Sequence, residues 1–211
     1  MKKMIISIGR QCGSGGHEIG EKLAKHYGIN LYDRNIIAML AEKMDKDPET
    51  VSRLEEKLSG FLLRRGGFDA KQKDLMNRLS ESDRLFIQER SLIRELAEKE
   101  SFVIIGRGAN DFLLDNPDAL RLFIYAPDSF RIPRVKEDYR IEYDSDAKAK
   151  MDHIDKERRQ YFEYYTGRSW GALDHHDLMI DSSLLGVDGT VELLIDAIDR
   201  KFAWDRRQTG D

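Results

Sequence analysis

Ile5-Ile6-Ser7-Ile8-Gly9-Arg10-Gln11-Cys12-Gly13-Ser14-Gly15-Gly16-His17-Glu18-Ile19-Gly20 is the stretch that decides the fold. A short apolar β-run enters a loop dense in glycine, and Ile19, Leu23, Ala24 and Tyr27 leave it at helical spacing. Strand, glycine-rich loop and helix together make an anion site. The glycines let successive backbone N–H groups converge, and the new helix adds the positive end of its dipole. The expected ligand is a phosphate. The loop resembles the pattern G-x-x-x-x-G-K-[ST], with three departures. Gly16 stands where that pattern has lysine, His17 where it has Ser/Thr, and Arg10 where it has the first glycine. The backbone cradle is kept and the lysine is lost.

Around that stretch the chain alternates apolar runs with amphipathic segments. Lys3 to Ile8 reads as a buried strand and Gly16 to Tyr27 as a helix stopped by Gly28. Ile29 to Tyr32 reads as a short strand, with Asp33 placed to cap a following helix that carries Ile36, Ile37, Met39 and Leu40. Asp47-Pro48 marks a helix start reaching about Ser59, and Gly60 to Ser82 is the least legible part. A long helix from Ser82 buries Leu85, Phe86, Leu92, Ile93 and Leu96. Phe102 to Ile105 and Leu120 to Tyr125 are further strands, and Asp128 is placed to cap the next helix. A long helix runs from Asp144 or Asp146 to Gly167. Asp177 to Asp181 is the last strand, and Val187 to Trp204 the closing helix. Short strands separated by helices mean βα units on a parallel sheet, the α/β class, with ligands beyond the carboxyl ends of the strands.

The 211 residues suffice for one α/β domain with a helical insertion. Charged residues are 35% of the chain, nearly balanced at a formal net charge of −4, which speaks against binding nucleic acid through a basic face. No apolar run approaches the roughly 18 residues of a membrane span. Met1-Lys2-Lys3 leads straight into a strand, so a cytoplasmic protein is expected. Cys12 is the single cysteine, which excludes an internal disulfide. Its place at a helix N-terminus is one that lowers a thiol pKa, so oxidation sensitivity is expected. An oligomer is possible, and nothing in the sequence specifies one.

The loop Arg10 to Ile19 resembles the opening of the cytidylate kinase-like proteins, a branch of the nucleoside monophosphate kinases. So do Leu31-Tyr32-Asp33, Ile104 to Gly108, the run Asp155 to Gly167, and His176 to Ser183. The resemblance implies a P-loop NTPase-type three-layer fold with a five-stranded parallel sheet. Its core would comprise residues 1–33, 100–128 and 172–206, with a helical monophosphate-binding insertion at about 34–99 and an arginine-bearing lid at about 128–168. It also implies transfer of the ATP γ-phosphoryl group to a nucleoside monophosphate such as CMP, or a related acceptor, normally with Mg²⁺. Such transfer is mainly positioning and charge neutralisation. Small-molecule nucleotides are then the partners, without nucleic acid or membrane.

Arg10, Gln11, Gly13, Ser14, Gly15, Gly16 and His17 are the candidate ATP-binding residues, with Arg10 replacing part of the missing lysine charge. The resemblance places Asp33 and Arg34 beside the acceptor phosphate; helix capping explains Asp33 as well. Arg107 ends a strand among glycines, a poor place for an idle charge, and is assigned to both acceptor binding and catalysis. Arg131, Arg158 and Arg159, with Arg134 as a weaker candidate, are the lid arginines expected to stabilise charge in transfer. Asp155 either positions the acceptor or holds an arginine. Tyr161, Tyr164, Tyr165 and Trp170 are expected in the core, and no protein metal ligands are assigned. Loss of the lysine keeps open a second reading, an anion-binding protein without phosphotransfer. A kinase for a non-nucleotide acceptor is a third.

Overall fold

In the computed structural model, residues 3–53 and 81–209 are described, with side chains from residue 83 to residue 203 in the second segment. Five strands form one parallel sheet: β1 (Ile5–Arg10), β2 (Asn30–Tyr32), β3 (Phe102–Ile105), β4 (Ala119–Tyr125) and β5 (Leu178–Asp181), in the order β2-β3-β1-β4-β5. β1 is central because both its neighbours pair in parallel register, Ile5 with Phe102 on one side and with Ala119 on the other. A strand in that place is covered on both faces, which explains the unbroken apolar run Ile5-Ile6 and the burial of Ile8.

On one face lie α1 (Gly16–Tyr27) and the closing helix α8 (Gly186–Thr209). They pack Ile19, Leu23, Val191, Leu194 and Ile198 against Ile6, Ile8, Val103, Ile105, Leu122 and Ile124. On the other face lie α2 (Ile36–Lys43), α3 (residues 48–53), α4 (Glu81–Lys99) and the short α5 (Ala109–Phe112), around Ile5, Phe102 and Ile104. A satellite core under the loop joins Cys12 to α6 (Asp128–Tyr139) and α7 (Asp144–Thr166) through Val135, Ala147 and Met151. The result is the expected three-layer α/β fold with a five-stranded parallel sheet.

Differences from the sequence reading lie at element ends. β1 continues to Arg10, two residues past the expected stop, because Gly9 and Arg10 pair with Phe123 and Ile124. Asp33 does not cap α2. It exchanges hydrogen bonds with Asn35, and the helix starts at Ile36 without a side-chain cap. Asp128 lies inside α6 rather than before it, since the extended Pro127 is the cap position. Asp47 does cap its helix, its Oδ1 accepting from the Thr50 N–H at 2.8 Å. The expected helix end near Ser59 and most of the stretch Gly60 to Ser82 fall outside the described residues. Among the described residues no helix is long and apolar enough to cross a membrane.

Candidate active site

The loop after β1 turns twice through left-handed backbone, at Gly13 (φ 75°) and Gly15 (φ 78°), before α1 begins. A Cβ at Gly13 would lie 2.8 Å from the Arg131 carbonyl oxygen, so the loop sits directly on α6. Gln11 N–H donates to the Ile124 carbonyl (3.0 Å) and Cys12 N–H to Asp155 Oδ1 (2.7 Å), which pins the loop's first half. The N–H groups of Gly13, Gly15, Gly16, His17 and Glu18 have no acceptor among the described residues. Five amides without acceptors at a helix N-terminus are the geometry in which such loops receive anions.

Arg10 leaves β1 beside this cradle and crosses in front of α1. A Cβ on Gly16 would stand 2.6 Å from Arg10 Cβ, and one on Gly106 would collide with Arg10 Nη1. Gly16, the residue in the lysine place, is therefore the gap through which Arg10 passes. The guanidinium has no hydrogen-bonding or ion-pair partner among the described residues. Burial lowers its pKa well below the usual arginine value, and the Arg158 and Arg107 charges add to that; Asp33 opposes them. Arg158 belongs to the same cluster and donates to the Arg10 carbonyl at 3.2 Å, with Asp155 at 3.5 Å. Arg107 is held in left-handed backbone (φ 60°) between Gly106 and Gly108, which is costly for a side chain with a Cβ. Arg10, Arg107 and Arg158 thus differ in how they are answered: Arg158 has Asp155 at 3.5 Å and Arg107 has Glu89 at 3.4 Å, while Arg10 is acted on by Asp33 without an ion pair among the described residues.

The remaining candidates divide by position. Asp33 Oδ2 lies 2.9 Å from His17 Nε2, joining β2 to the first turn of α1. Burial alone would raise the Asp33 pKa, and the hydrogen bonds from His17 and the backbone bring it below the ordinary value. Arg34 is exposed at the same edge. Arg131 is buried, its two terminal nitrogens donating to Asp155 (2.8 Å), Asp128 (2.7 Å) and the Cys12 carbonyl (3.3 Å) while its Nε has no partner among the described residues. Asp155 accepts from both the loop and Arg131, so it ties α7 to the cradle; burial raises its pKa against those contacts. Arg134 donates to Glu18 at 2.8 Å and its guanidinium flanks Gly15.

Arg159 is not brought to the cluster. It stacks on Trp170 at 5.7 Å and lines a cleft of about 210 Å³ with Gln11, Phe123, Tyr125, Gly171 and Met179. Adjacent residues on a helix point about 100° apart, and only Arg158 faces the loop. Tyr161 and Tyr165 pack on Phe86 and Trp170 on Phe123, as expected of core aromatics, whereas Tyr164, expected with them, is exposed. Cys12 is buried, and burial raises its thiol pKa, the opposite of the shift expected from its place in the loop. Ser14 is also buried, its hydroxyl donating to the Gln11 carbonyl at 2.9 Å.

One participant was not singled out from the sequence. Glu89 of α4 is buried between Arg107 Nη1 (3.4 Å) and the Tyr161 hydroxyl, which donates to it at 2.8 Å. Its signal was available: Glu89 falls at i+4 from Leu85 and i−3 from Leu92, a charge inside the apolar stripe.

A central parallel strand feeding an amide cradle, with arginines arriving from the neighbouring strand end and a long second helix pair, has the fold of the P-loop kinases. Shikimate kinase from Bacteroides thetaiotaomicron shares it at TM-score 0.51 and 15% identity, over 93% of this chain and 98% of that one. The chain matches the Cytidylate kinase-like family over residues 5–184 and belongs to it. It is 28% identical over 206 residues to a cytidylate kinase of Methanopyrus kandleri, covering 93% of each. An uncharacterized protein of Eubacterium ventriosum has a crystal structure similar at TM-score 0.70 and 30% identity, over 93% of this chain and 99% of that one.

Proposed function

We propose that this protein is an ATP-dependent kinase that transfers the γ-phosphoryl group to a CMP-like nucleoside monophosphate or a related small acceptor. The observation that carries the reading is the pairing of acceptor-free amides at Gly13 and Gly15 to Glu18 with the cluster Arg10, Arg107 and Arg158. The amides take the ATP phosphates. Arg10 supplies the charge that a lysine at position 16 would have supplied, from the other side of the same gap. Arg107, with Asp33 and Arg34 beside it, takes the acceptor phosphate, and Arg158 bridges the two. Phosphoryl transfer asks the protein mainly to align two anions and neutralise the charge that spreads over the moving group. Arg10, with Arg107 and Arg158 near enough to act on its charge, suits that task.

Arg131 and Asp155 serve in this reading as the brace that fixes the loop to the lid, and Arg134 steadies Glu18. Among the described residues no group of three or more His, Cys, Asp or Glu converges to hold a metal. His17, in the usual Ser/Thr place, is engaged with Asp33. A protein-built Mg²⁺ site does not fit these residues, and any Mg²⁺ arrives held by nucleotide phosphates and water.

The test is ADP release from ATP with CMP, dCMP, UMP, AMP, GMP and no acceptor. Acceptor-dependent turnover that is lost in Arg107→Ala and in Arg158→Ala is the expected result. ATP binding without turnover across acceptors supports the binding-only alternative, which the glycine at position 16 keeps in play. Absence of any nucleotide binding overturns both.

A further inference from the structure

Glu89 is the buried acid that the proposed transfer does not use. It is 1% exposed and sits in the middle of the apolar stripe of α4, where Leu85, Phe86, Leu92 and Ile93 surround it in sequence. A carboxylate in such a place is costly unless its oxygens are hydrogen-bonded. Each oxygen has one partner, and the two come from different parts of the molecule. Tyr161, on α7, donates to Oε2 at 2.8 Å; Arg107, on the turn after β3, reaches Oε1 at 3.4 Å. Arg107 is presented to it by the left-handed turn Gly106-Arg107-Gly108. One buried carboxylate therefore joins the helical insertion, the lid helix and the strand end that carries the acceptor-site arginine.

We propose that Glu89 is a positioning residue that shares Arg107 with the bound phosphate, so that its charge state sets how strongly Arg107 holds an anion. The inference rests on the reading of Arg107 as a phosphate-binding residue. A guanidinium has five N–H donors and serves two anions at once, but a carboxylate on its far side repels the incoming phosphate. Ionised Glu89 fixes the guanidinium's place and weakens its pull; neutral Glu89 leaves the pull at full strength. Burial pushes the Glu89 carboxyl up to about 7, against the hydrogen bond from Tyr161. The exchange therefore falls near neutral pH, and anion affinity decreases as pH rises through it.

Other groups border this cluster. Tyr165 of α7 neighbours Glu89 and Tyr161, and its hydroxyl stays protonated because burial raises it further. Asp33 and Arg34, after β2, act on Arg107 from the sheet edge; Asp33 is ionised throughout the neutral range. His17 lies against Asp33 and 3.7 Å from Glu21, so it contributes a second ionisable ring beside the anion site. A background of His17→Asn removes that contribution.

The experiment measures sulfate affinity of the full chain by calorimetry in the His17→Asn background, at about pH 6 and about pH 8. Sulfate keeps its charge over that range, so any slope belongs to the protein. The component lost in Arg107→Ala is the one read. The expected result is a roughly tenfold weaker affinity at the higher pH. Adding Glu89→Gln removes that difference, while Tyr161→Phe, which deletes a bond favouring the carboxylate, moves the midpoint upward. A slope that persists in Glu89→Gln overturns the proposal, as does equal affinity at the two pH values before that substitution. No Arg107-dependent sulfate binding at either pH overturns it too. A normal slope in a protein that phosphorylates none of the acceptors removes the kinase reading and leaves the role of Glu89 standing.

Discussion

Arg10 brings a charge into a place where nothing in the described protein answers it. Burial and two neighbouring arginines work against that charge, and Asp33 and, more weakly, Cys12 work for it. In the proposed reading a bound phosphate turns that burden into an asset. Arg10→Met keeps the chain length and apolar packing while deleting the charge. The expected outcome is a fall of about a hundredfold in kcat/KM for the acceptor that turns over. The ligand-free melting temperature should be unchanged or higher. A variant that melts lower and turns over normally would falsify the assigned role. Cys12 gives a second test at this scale. Its buried thiol, with the pKa raised, should react with a thiol reagent at neutral pH far more slowly in the native protein than in urea. Equal rates would show that the loop opens freely.

At the scale of elements, the loop, α6 and α7 are one mechanical unit, because Asp155 accepts from the Cys12 N–H and from Arg131 together. Asp155→Ala leaves the Arg131 guanidinium with a weaker set of acceptors in a buried site. It should cost about 3 kcal/mol in urea unfolding. Arg158→Ala, by contrast, should cost under about 1 kcal/mol, since its side chain is partly exposed and its Asp155 contact is 3.5 Å long. The strands, α1 and the buried stripe of α4 were legible in the sequence because each repeats one apolar period over a whole turn or more. Helix starts were less so. Asp33 and Asp128 look like caps by type, but each is drawn away by a partner distant from the helix end or inside it, His17 in one case and Arg131 in the other. Arg158 and Arg159 were less legible for a similar reason: neighbours in sequence share a helix without sharing a face, so one reaches the loop and the other the Trp170 cleft. The loss of lysine at position 16 was plain from the sequence, whereas its connection to Arg10 needed the three-dimensional path of that side chain.

For the whole molecule, stability should carry the mark of Glu89. Its folded pKa of about 7 lies above the ordinary 4.5, so between those values the folded protein binds a proton that the unfolded chain has released. Stability from this group is complete below about pH 4.5, falls as pH rises, and levels off above about 7. The difference amounts to about 3 kcal/mol. Thermal unfolding of Glu89→Gln against the parent should therefore show the variant gaining relative stability from about pH 5 to about pH 8; a constant difference would mean that Glu89 is ionised throughout. The depressed carboxyls Asp128 and Asp177 titrate below that window, and the lowered His176 and raised Asp155 are common to variant and parent and cancel in the difference. The crossing of Arg10 over Gly16 has a consequence on a longer timescale. A Cβ at position 16 and a long side chain at position 10 exclude one another. A lineage cannot pass from the arginine loop to the lysine loop by one replacement, since Gly16→Lys meets Arg10 and Arg10→Gly leaves the cradle with no cation. The two loops are separated by a valley that only a paired exchange crosses, and in descendants of a common ancestor positions 10 and 16 should have changed together.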